Sequence, residues 1–372
     1  MKLVITGASG LIGWHTASRI HAANCAARFK GLDEPFELVM LDHTGFEDDN
    51  RLAEAVDGTD GILHFAGVNR APGNVVEAAN PAIAKRLADA CSSQGTTPHI
   101  VYANSTHATS DTPYGRSKRI AGEILARVGG PYTDLILPHI FGECARPNYN
   151  NVTATFIEAV IAGHPPEINP NGQVSLLHAG AAAQTALDAV IHRKTGVLRP
   201  KAREIAVSEL YACIEAFHEG YSANIYPDLS DPFTVALFNS YRSALYPDGF
   251  AQALTMNTDA RGTLFEAVKG GGGGQTFVST TKPGITRGDH FHLKKVERFL
   301  VVQGEAIIRI RKVLGDVVWV YRLSGDEPAW VDMPTLHTHS IENVGDRDLL
   351  TLFWTHDLFD PANPDTFADK VL

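Results

Sequence analysis

Glycines near the amino terminus are spaced as in a loop that binds a diphosphate. Gly7, Gly10 and Gly13 lie between an apolar, strand-like run, Lys2–Ile5, and a helix-like segment. Glycines at such positions let the turn close tightly and bring backbone N–H groups to a diphosphate at the positive end of the helix. We interpret the turn as part of a dinucleotide site, with a purely structural turn as the alternative. The residues expected to bind the dinucleotide here are Gly7, Ser9, Gly10, Leu11, Ile12 and Gly13.

An aspartate at the end of the second predicted strand bears on the choice of nicotinamide cofactor. Asp42 closes the apolar run Val39–Leu41. A carboxylate there accepts a hydrogen bond from a ribose 2′-hydroxyl and repels a 2′-phosphate, which favours NADH over NADPH. Asp42 lies 29 residues after Gly13, beyond the usual ~20, so we interpret Cys25–Pro35 as an insertion. The alternative is a solvated turn residue.

A tyrosine and a lysine four positions apart could carry proton transfer. Tyr114 and Lys118 share one face of a predicted helix, and Ser105 ends the strand before it. The lysine ammonium lowers the phenol pKa toward the working pH, which makes the tyrosine a usable proton donor. The order of the motifs along the chain carries more weight than this pair, since such pairs often arise by chance. We predict that Ser105, Tyr114 and Lys118 are the catalytic residues, with the serine orienting a substrate carbonyl.

Histidines and a glutamate in the last third of the chain have the spacing of metal ligands. His290 and His292 alternate on a predicted strand, so both side chains point to the same side. Glu297 follows, and His339 offers a third imidazole, with His337 as a second candidate. Imidazoles and a carboxylate suit a divalent transition metal, for which we expect zinc. The alternatives are histidines packed individually in the core and a metal with a purely structural role.

The elements that must position these groups change in kind along the chain. Up to about residue 200, short apolar runs alternate with longer helical stretches, which predicts βαβ units and a Rossmann-type, doubly wound parallel sheet. From about residue 259, strand-like runs follow one another, as is typical of an antiparallel sandwich or barrel. Gly270–Gly274 is interpreted as a hairpin tip. We predict a dinucleotide-binding domain over residues 1–250 and an all-β metal-binding domain over residues 251–372.

The composition excludes several classes of protein. The 372 residues include 32 Lys and Arg and 42 Asp and Glu, a formal net charge of −10. An acidic chain without a long basic run is a poor electrostatic partner for nucleic acid or an anionic membrane. The apolar runs are too short to span a bilayer, and the 4 scattered cysteines argue against a disulfide framework. We expect a cytoplasmic protein with no nucleic-acid partner and no membrane partner.

Residues 1 to about 200 resemble an extended short-chain dehydrogenase/reductase. The resemblance implies Tyr114 as acid and base, Lys118 as ribose binder and Ser105 as the group that orients the carbonyl. It also implies cofactor contacts from Phe65, Ala66, Gly67, Lys118, Pro138 and Ile140. The family usually has Val-Asp-Asp where this chain has the segment that begins at His178.

The metal-ligand motif resembles the signature of a cupin barrel. The first part, Gly284–Gly304, matches the cupin pattern at its glycines, histidines and glutamate. The pattern places the last ligand four residues before an asparagine, and this selects His339 ahead of Asn343. Leu336 stands where the second part of the pattern usually has a glycine. The resemblance implies a metal centre of His290, His292, Glu297 and His339.

The whole chain resembles the bifunctional capsular-polysaccharide enzymes of the CapF type, in which a reductase precedes a cupin. The stretches that carry this resemblance include Phe65–Arg70, Pro147–Asn151, Lys282–Thr286, Phe299–Val302 and Phe359–Thr366. It implies a cupin that epimerises C3 of a UDP-2-acetamido-2,6-dideoxy-4-hexulose and a reductase that reduces the C4 ketone with NAD(P)H. The implied product is UDP-2-acetamido-2,6-dideoxy-L-talose, a precursor of capsular or O-antigen polysaccharide, and the implied assembly is a homodimer.

The chain departs from the CapF-type pattern in two ways. The resemblance implies NADPH, whereas Asp42 indicates NADH, and Leu293 stands where a further histidine is common. Three other functions are compatible with the residues: a monofunctional 4-keto sugar reductase with a structural cupin, a nucleotide-sugar 4-epimerase, and a binding protein that senses redox state or a ligand. The complete catalytic set argues against the binding protein.

Overall fold

The computed structural model describes all 372 residues, and the chain divides into two compact units. Unit 1 comprises Met1–Thr155 and Glu167–Ser208, and unit 2 comprises Phe156–Pro166 and Glu209–Leu372. Residues 209–250, which the sequence assigned to the first domain, thus belong to the compact unit that carries the antiparallel sheets. The boundary at residue 250 stays a prediction, because compactness alone does not show which segments fold independently.

Unit 1 is built on a six-stranded parallel sheet. The strands of the unit are β1 (Lys2–Thr6), β2 (Glu37–Leu41), β3 (Gly61–His64), β4 (His99–Ser105), β5 (Tyr132–Leu137), β6 (His139–Phe141), β7 (Gln173–His178), β8 (Gly196–Leu198) and β9 (Arg203–Ala206). The spatial order in the main sheet is β2-β1-β3-β4-β5-β8, and β6-β7-β9 form a smaller sheet. The order reverses between β1 and β3, which opens a crevice at the carboxyl ends of these strands.

Helices cover both faces of the main sheet. They are α1 (Leu11–Phe29), α2 (His43–Glu47), α3 (Asp49–Val56), α4 (Gly73–Ser93), α5 (Pro113–Leu125), α6 (Val152–Ile161), which begins in unit 1, and α7 (Ala179–Ile191). Leu3 and Ile5 pack in one core with α1 and α7, whereas Val4 packs in the other with α3, α4 and α5. This alternation along β1 is what a strand buried on both faces requires. The predicted doubly wound architecture is confirmed.

Unit 2 contains two five-stranded antiparallel sheets. Its elements are α8 (Val207–Ser222), which begins in unit 1, β10 (Ile225–Tyr226), α9 (Pro232–Leu245), β11 (Gln252–Ala253), β12 (Asn257–Asp259), β13 (Gly262–Leu264), β14 (Lys269–Gly270), β15 (Gln275–Thr281), β16 (Thr286–Phe291), β17 (Glu297–Gln303), β18 (Glu305–Lys312), β19 (Val318–Ser324), β20 (Ala329–Met333), β21 (His337–Asn343), β22 (Leu349–Thr355) and β23 (Phe367–Ala368). The sheet orders are β11-β20-β17-β22-β15 and β19-β18-β21-β16-β23. Apolar side chains from both sheets form one core, so the predicted all-β region is confirmed.

The glycine run in unit 2 is not the hairpin tip that the sequence suggested. Gly270 belongs to β14, which pairs in parallel with β10, and the Gly271 N–H donates to the Tyr226 carbonyl oxygen at 3.0 Å. The run therefore connects strands with different partners, because β15 pairs with β22. Glycine suits this path because a Cβ on Gly274 would lie 2.5 Å from the Trp354 indole nitrogen. None of the helices combines the length and the apolar character that crossing a membrane requires.

Candidate active site and metal centre

The glycine turn between β1 and α1 lies at the crevice of the main sheet. Gly7 has a φ of +69°, and a Cβ there would lie 2.7 Å from the Ala66 backbone nitrogen. A Cβ on Gly13 would lie 2.2 Å from the Gly7 carbonyl oxygen. Gly10 is the N-cap of α1, and Ser9 and Gly10 are exposed. The helix N-terminus is thus open to an anion, and its backbone N–H groups suit a diphosphate.

Asp42 follows the carboxyl end of β2 and has a defined orientation. Its Oδ1 accepts a hydrogen bond from the Gly45 N–H at 2.7 Å, which caps α2. The side chain is exposed, and its Oδ2 makes no hydrogen bond within the protein. Because the cap fixes the carboxylate, Oδ2 can accept from a ribose hydroxyl without further ordering of the side chain.

The other predicted cofactor residues follow neighbouring strands at the same edge of the sheet. Phe65, Ala66 and Gly67 come directly after β3, and Pro138 and Ile140 lie between β5 and the end of β6. Gly67 is exposed, and the other four are half-buried. Since the carboxyl ends of parallel strands share one edge, these residues lie on the crevice side with the glycine turn.

Tyr114 lies in the first turn of α5, whose N-cap is Thr112. Its hydroxyl donates to the Asn69 side-chain oxygen at 3.2 Å. Burial raises the pKa of Tyr114, and a hydrogen bond with the Ser105 hydroxyl opposes this effect. The Ser105 oxygen accepts the His107 N–H at 3.2 Å, which fixes the serine beside the tyrosine. The phenol is therefore protonated at neutral pH, which is the state a proton donor requires.

Lys118 is buried one helical turn after Tyr114. Its Nζ donates to the Ala103 carbonyl oxygen at 2.6 Å and lies 4.2 Å from the centroid of the Tyr102 ring. Burial lowers the pKa of Lys118 to about 7, although Asp134 acts in the opposite direction. The charge of this lysine therefore changes near neutral pH. The pKa of Tyr114 is raised and not lowered, so the lowering of the phenol pKa that the sequence predicted from Lys118 is not found.

Sequence reasoning missed Asn69, the hydrogen-bond partner of Tyr114. The signal was present, because Asn69 lies in the stretch Phe65–Arg70, but nothing in the local pattern connects it with a residue 45 positions later. The buried Asn80 holds this loop by accepting from the Val68 N–H at 2.9 Å and donating to the Val68 carbonyl oxygen at 3.0 Å. Asn69 is thus positioned by the fold.

The predicted metal ligands converge in unit 2. One donor atom from each of four side chains lies within 4.8 Å of all the others. His290 and His339 are register partners on β16 and β21, His292 follows β16, and Glu297 begins β17 of the other sheet. The Glu297 Oε2 atom lies 3.1 Å from the Nε2 of His292 and 3.3 Å from that of His339. Each donor type and this spacing fit a divalent transition metal.

Surrounding groups hold these donors in the state that binds metal. The His292 Nδ1–H donates to the Asp365 carbonyl oxygen at 2.5 Å, which turns Nε2 toward the cluster. Burial and the neighbouring histidines lower the pKa of His290 to about 3, so its imidazole is neutral. Burial would raise the pKa of Glu297, but His292 and His339 outweigh it and keep the glutamate ionised. The buried His339 Nε2 has no hydrogen bond in the protein, as expected for a ligand atom.

The alternative ligand, His337, is not part of the cluster. Its Nδ1 donates to the Thr335 carbonyl oxygen at 2.9 Å, and its ring packs edge-on against Tyr246. Leu336, where the cupin pattern usually has glycine, has a φ of +61° and is buried. The leucine therefore adopts the left-handed conformation that glycine favours, and its apolar side chain is accommodated in the core.

Each half of the chain is similar to a known protein family. Residues 3–197 match the NAD dependent epimerase/dehydratase family, and residues 257–367 match the polysaccharide biosynthesis C-terminal domain. A UDP-2-acetamido-2,6-beta-L-arabino-hexul-4-ose reductase from Pseudomonas aeruginosa is 31% identical, with 100% of this chain and 99% of the relative covered. CapF from Staphylococcus aureus has a crystal structure with a TM-score of 0.59 at 30% identity, and CapF with the inhibitor 3-isopropenyl-tropolone gives 0.53 at 28%, each with 100% of both chains covered. The chain belongs to the CapF-type family.

As a member of the CapF-type family, the protein is an oxidoreductase. Its first half belongs to the NAD dependent epimerase/dehydratase family, whose enzymes use a nicotinamide cofactor. One departure from the wider reductase pattern has a structural explanation. His178 accepts the Gly180 N–H on Nδ1 at 3.2 Å and donates from Nε2 to the buried Glu143 at 2.7 Å. Burial raises the pKa of Glu143, but His178 and His15 outweigh it and keep the pKa below its ordinary range. This pair joins the start of α7, where the extended short-chain reductase pattern usually has Val-Asp-Asp, to the loop after β6.

Proposed function

We propose that this CapF-type enzyme converts a UDP-2-acetamido-2,6-dideoxy-4-hexulose in two steps, C3 epimerisation in unit 2 and C4 ketone reduction in unit 1. The observation that carries the proposal is the presence of two functional sets in one chain. One is a serine–tyrosine pair at a dinucleotide crevice, and the other is a cluster of three histidines and a glutamate in which His292 and His339 are buried. The name of the Pseudomonas relative supports the substrate. The product would be UDP-2-acetamido-2,6-dideoxy-L-talose, made by a homodimer with zinc in the cluster.

The reductase step assigns a role to each residue of unit 1. A bound nicotinamide supplies the hydride that C4 receives. Tyr114 donates its proton to the ketone oxygen, and Ser105 donates a hydrogen bond that orients the carbonyl. Lys118 binds the ribose through its ammonium group. Gly7, Gly10 and Gly13 let the backbone of the turn pack closely, and the turn then presents the N-terminus of α1 to the diphosphate.

Epimerisation must come before reduction. The C4 ketone makes the C3 proton acidic, and this activation ends once the ketone becomes an alcohol. A divalent metal held by His290, His292, Glu297 and His339 would supply Lewis acidity to stabilise the enolate. The proton leaves C3 and another returns to the opposite face, so the step needs no external reductant.

One observation favours a second candidate, a monofunctional reductase with a structural metal. The cluster offers four protein donors, and four donors complete a tetrahedral site, whereas catalytic zinc sites usually keep one position open. The two candidates differ in whether unit 2 exchanges the C3 proton of the sugar.

Incubation with the UDP-4-keto sugar tests the proposal directly. We expect oxidation of NAD(P)H, followed at 340 nm, and a UDP sugar heavier by two hydrogens in the mass spectrum. In D₂O without nicotinamide, we expect one deuterium at C3. The same sugar linked to dTDP serves as the matched control. Absence of both reactions with every UDP-4-keto sugar would contradict the proposal, and reduction without exchange would favour the structural metal.

The choice of cofactor should depend on Asp42. We expect a higher kcat/KM with NADH than with NADPH, because the Asp42 carboxylate repels a 2′-phosphate. Asp42→Asn keeps an N-cap residue for α2 but removes the charge. The ratio of kcat/KM with NADH to kcat/KM with NADPH should therefore fall by about tenfold. Asp42→Ala should lower this ratio as well. The control Asp33→Ala, at an exposed position in unit 1, should leave the ratio unchanged. A native enzyme that prefers NADPH would show that Asp42 does not face the ribose.

The affinity for NADH should depend on pH through Lys118. The pKa of this lysine is about 7 in the protein alone, so its ammonium loses the proton as pH rises above that value. A charged lysine binds the cofactor better, and linkage then requires affinity to fall with rising pH. We expect the Kd of NADH, measured by NADH fluorescence, to rise about three- to tenfold between pH 6.5 and 8.5. Lys118→Met should flatten this dependence, and an unchanged slope in that variant would contradict the assignment.

A further inference from the structure

The hydroxyl proton of Tyr114 already has an acceptor in the protein. It is donated to the Asn69 side-chain oxygen at 3.2 Å. A phenol has one proton to donate, so a ketone that receives it must displace Asn69 from that hydrogen bond. Asn69 is an exposed residue of the crevice, and its amide N–H groups make no hydrogen bond within the protein. The amide can therefore bind a substrate group when its oxygen releases the tyrosine.

The fold keeps Asn69 and Tyr114 in register. Asn80 holds Val68, the neighbour of Asn69, through two hydrogen bonds. The same amide group of Asn80 donates to the Ser117 hydroxyl at 2.9 Å, and Ser117 donates to the Tyr114 carbonyl oxygen at 2.8 Å. One buried side chain thus anchors both the loop and the helix. This arrangement is typical of a binding site that is ordered before the substrate arrives.

The distances limit which part of the sugar Asn69 can reach. The ketone oxygen and the Asn69 oxygen compete for the same hydroxyl, so each lies about 3 Å from it and at most about 6 Å from the other. Asn69 therefore lies beside the carbons that flank the ketone. In a 6-deoxy-4-keto sugar, C5 carries a methyl group and C3 carries a hydroxyl. C5 is also bonded to the ring oxygen, an ether that accepts hydrogen bonds weakly, so the C3 hydroxyl is the stronger hydrogen-bonding group on a neighbouring carbon.

We propose that Asn69 binds the C3 hydroxyl of the 4-keto sugar and makes the reductase selective for the configuration at C3. The proposal rests on the proposed function, and it adds the residue that lets the reductase recognise an epimerised substrate. The side-chain N–H of Asn69 donates to the C3 oxygen in one configuration. In the other configuration the C3 oxygen lies on the opposite face of the sugar, and the amide stays without a partner. A sugar bound in the crevice covers this amide, and a covered donor without a partner costs binding energy, which is how polar sites discriminate between substrates.

A substrate without the C3 hydroxyl tests this contact. We compare kcat/KM for the 4-hexulose and for its 3-deoxy analogue, UDP-2,3,6-trideoxy-2-acetamido-4-hexulose, in the full-length native enzyme and in Asn69→Ala. The variant should lose about tenfold to a hundredfold with the hydroxylated sugar. With the 3-deoxy sugar it should lose about threefold or less, because only the positioning of Tyr114 is affected. Equal losses with both sugars would overturn the proposal.

A second variant separates direct contact with the reacting tyrosine from a merely structural role. Asn69→Asp keeps an oxygen that accepts from Tyr114 but removes the amide N–H donor. The negative charge of the new carboxylate disfavours the ionised phenol and so raises the pKa of Tyr114. The alkaline limb of the kcat profile should therefore move to higher pH, whereas a structural defect would lower kcat without moving it. Asn50→Ala, at an exposed asparagine of α3, is the matched control. If the native enzyme reduces no UDP-4-keto sugar, the proposed function is wrong. If it reduces the 4-hexulose and its 3-deoxy analogue with the same kcat/KM, only the proposed role of Asn69 is wrong.

Discussion

Tyr114→Phe should reduce ketone reduction by on the order of 10²-fold or more while NADH binding stays nearly unchanged. The substitution removes one hydroxyl, which is the proton donor, and keeps the ring that packs edge-on against His107. Proton donation to the ketone oxygen is then left to water, which is poorly placed in a crevice lined by half-buried residues. The measurements are kcat for NADH oxidation with the 4-keto sugar and the Kd of NADH by fluorescence.

The matched control for Tyr114→Phe is Tyr132→Phe. Tyr132 begins β5, at the end of the strand opposite the crevice, and its hydroxyl donates to Asp134 at 3.3 Å. This variant should keep the activity of the native enzyme. If Tyr114→Phe reduced the ketone at the native rate, the proton would have another donor and the assignment of Tyr114 would be wrong. A loss of NADH binding would instead indicate that the substitution disturbs the cofactor site.

The combined substitution His290→Ala and His292→Ala should remove the metal and stop deuterium from entering C3. Two of four donors are lost, and the remaining glutamate and histidine bind a divalent ion weakly. We expect the metal content to fall from roughly one ion per chain to near zero. Reduction of an already epimerised sugar should continue, because it uses only residues of unit 1. Metal is measured by mass spectrometry of the protein digest, and exchange by mass spectrometry of the sugar in D₂O.

Two controls define the outcome of the metal experiment. His337→Gln, at the histidine outside the cluster, should keep both metal and exchange, since His337 packs against Tyr246. Circular dichroism of the double variant shows whether the antiparallel sheets still form. Tyr114→Phe should still exchange the C3 proton but give no reduced sugar. Exchange that is lost in the tyrosine variant and kept in the metal-free protein would reverse the proposed division of the chemistry.

Local sequence patterns determined the architecture of both halves and the order of their motifs. Alternating apolar runs predicted the parallel sheet and then the antiparallel sheets because strand and helix periodicity are local properties of the chain. The glycines of the β1–α1 turn were also readable, since close backbone contacts such as that of Gly13 with Gly7 arise within a few residues. The spacing of His290 and His292 placed both on one face of a strand for the same reason.

The sequence misled where the outcome depends on partners far along the chain. Gly270–Gly274 was interpreted as a hairpin tip because five glycines disfavour a strand locally. In the structure β10 supplies the hydrogen bonds that keep Gly270 in a strand. Similarly, Leu336 occupies a glycine-like conformation because its burial outweighs the local cost of a positive φ.

The cupin resemblance implied the four metal ligands as one set, but only the tertiary structure decided how the groups of the two sites meet. Glu297 faces histidines from the opposite sheet, and Asn69 meets Tyr114 across 45 positions of sequence. Asn80 joins the loop and the helix that carry this second pair. Such contacts depend on strand order, register and packing of buried polar groups, and no local periodicity encodes them. The sequence by itself therefore determined the kinds of chemistry this chain can perform, and the tertiary structure decided which side chains act together, because long-range packing sets the distances between them.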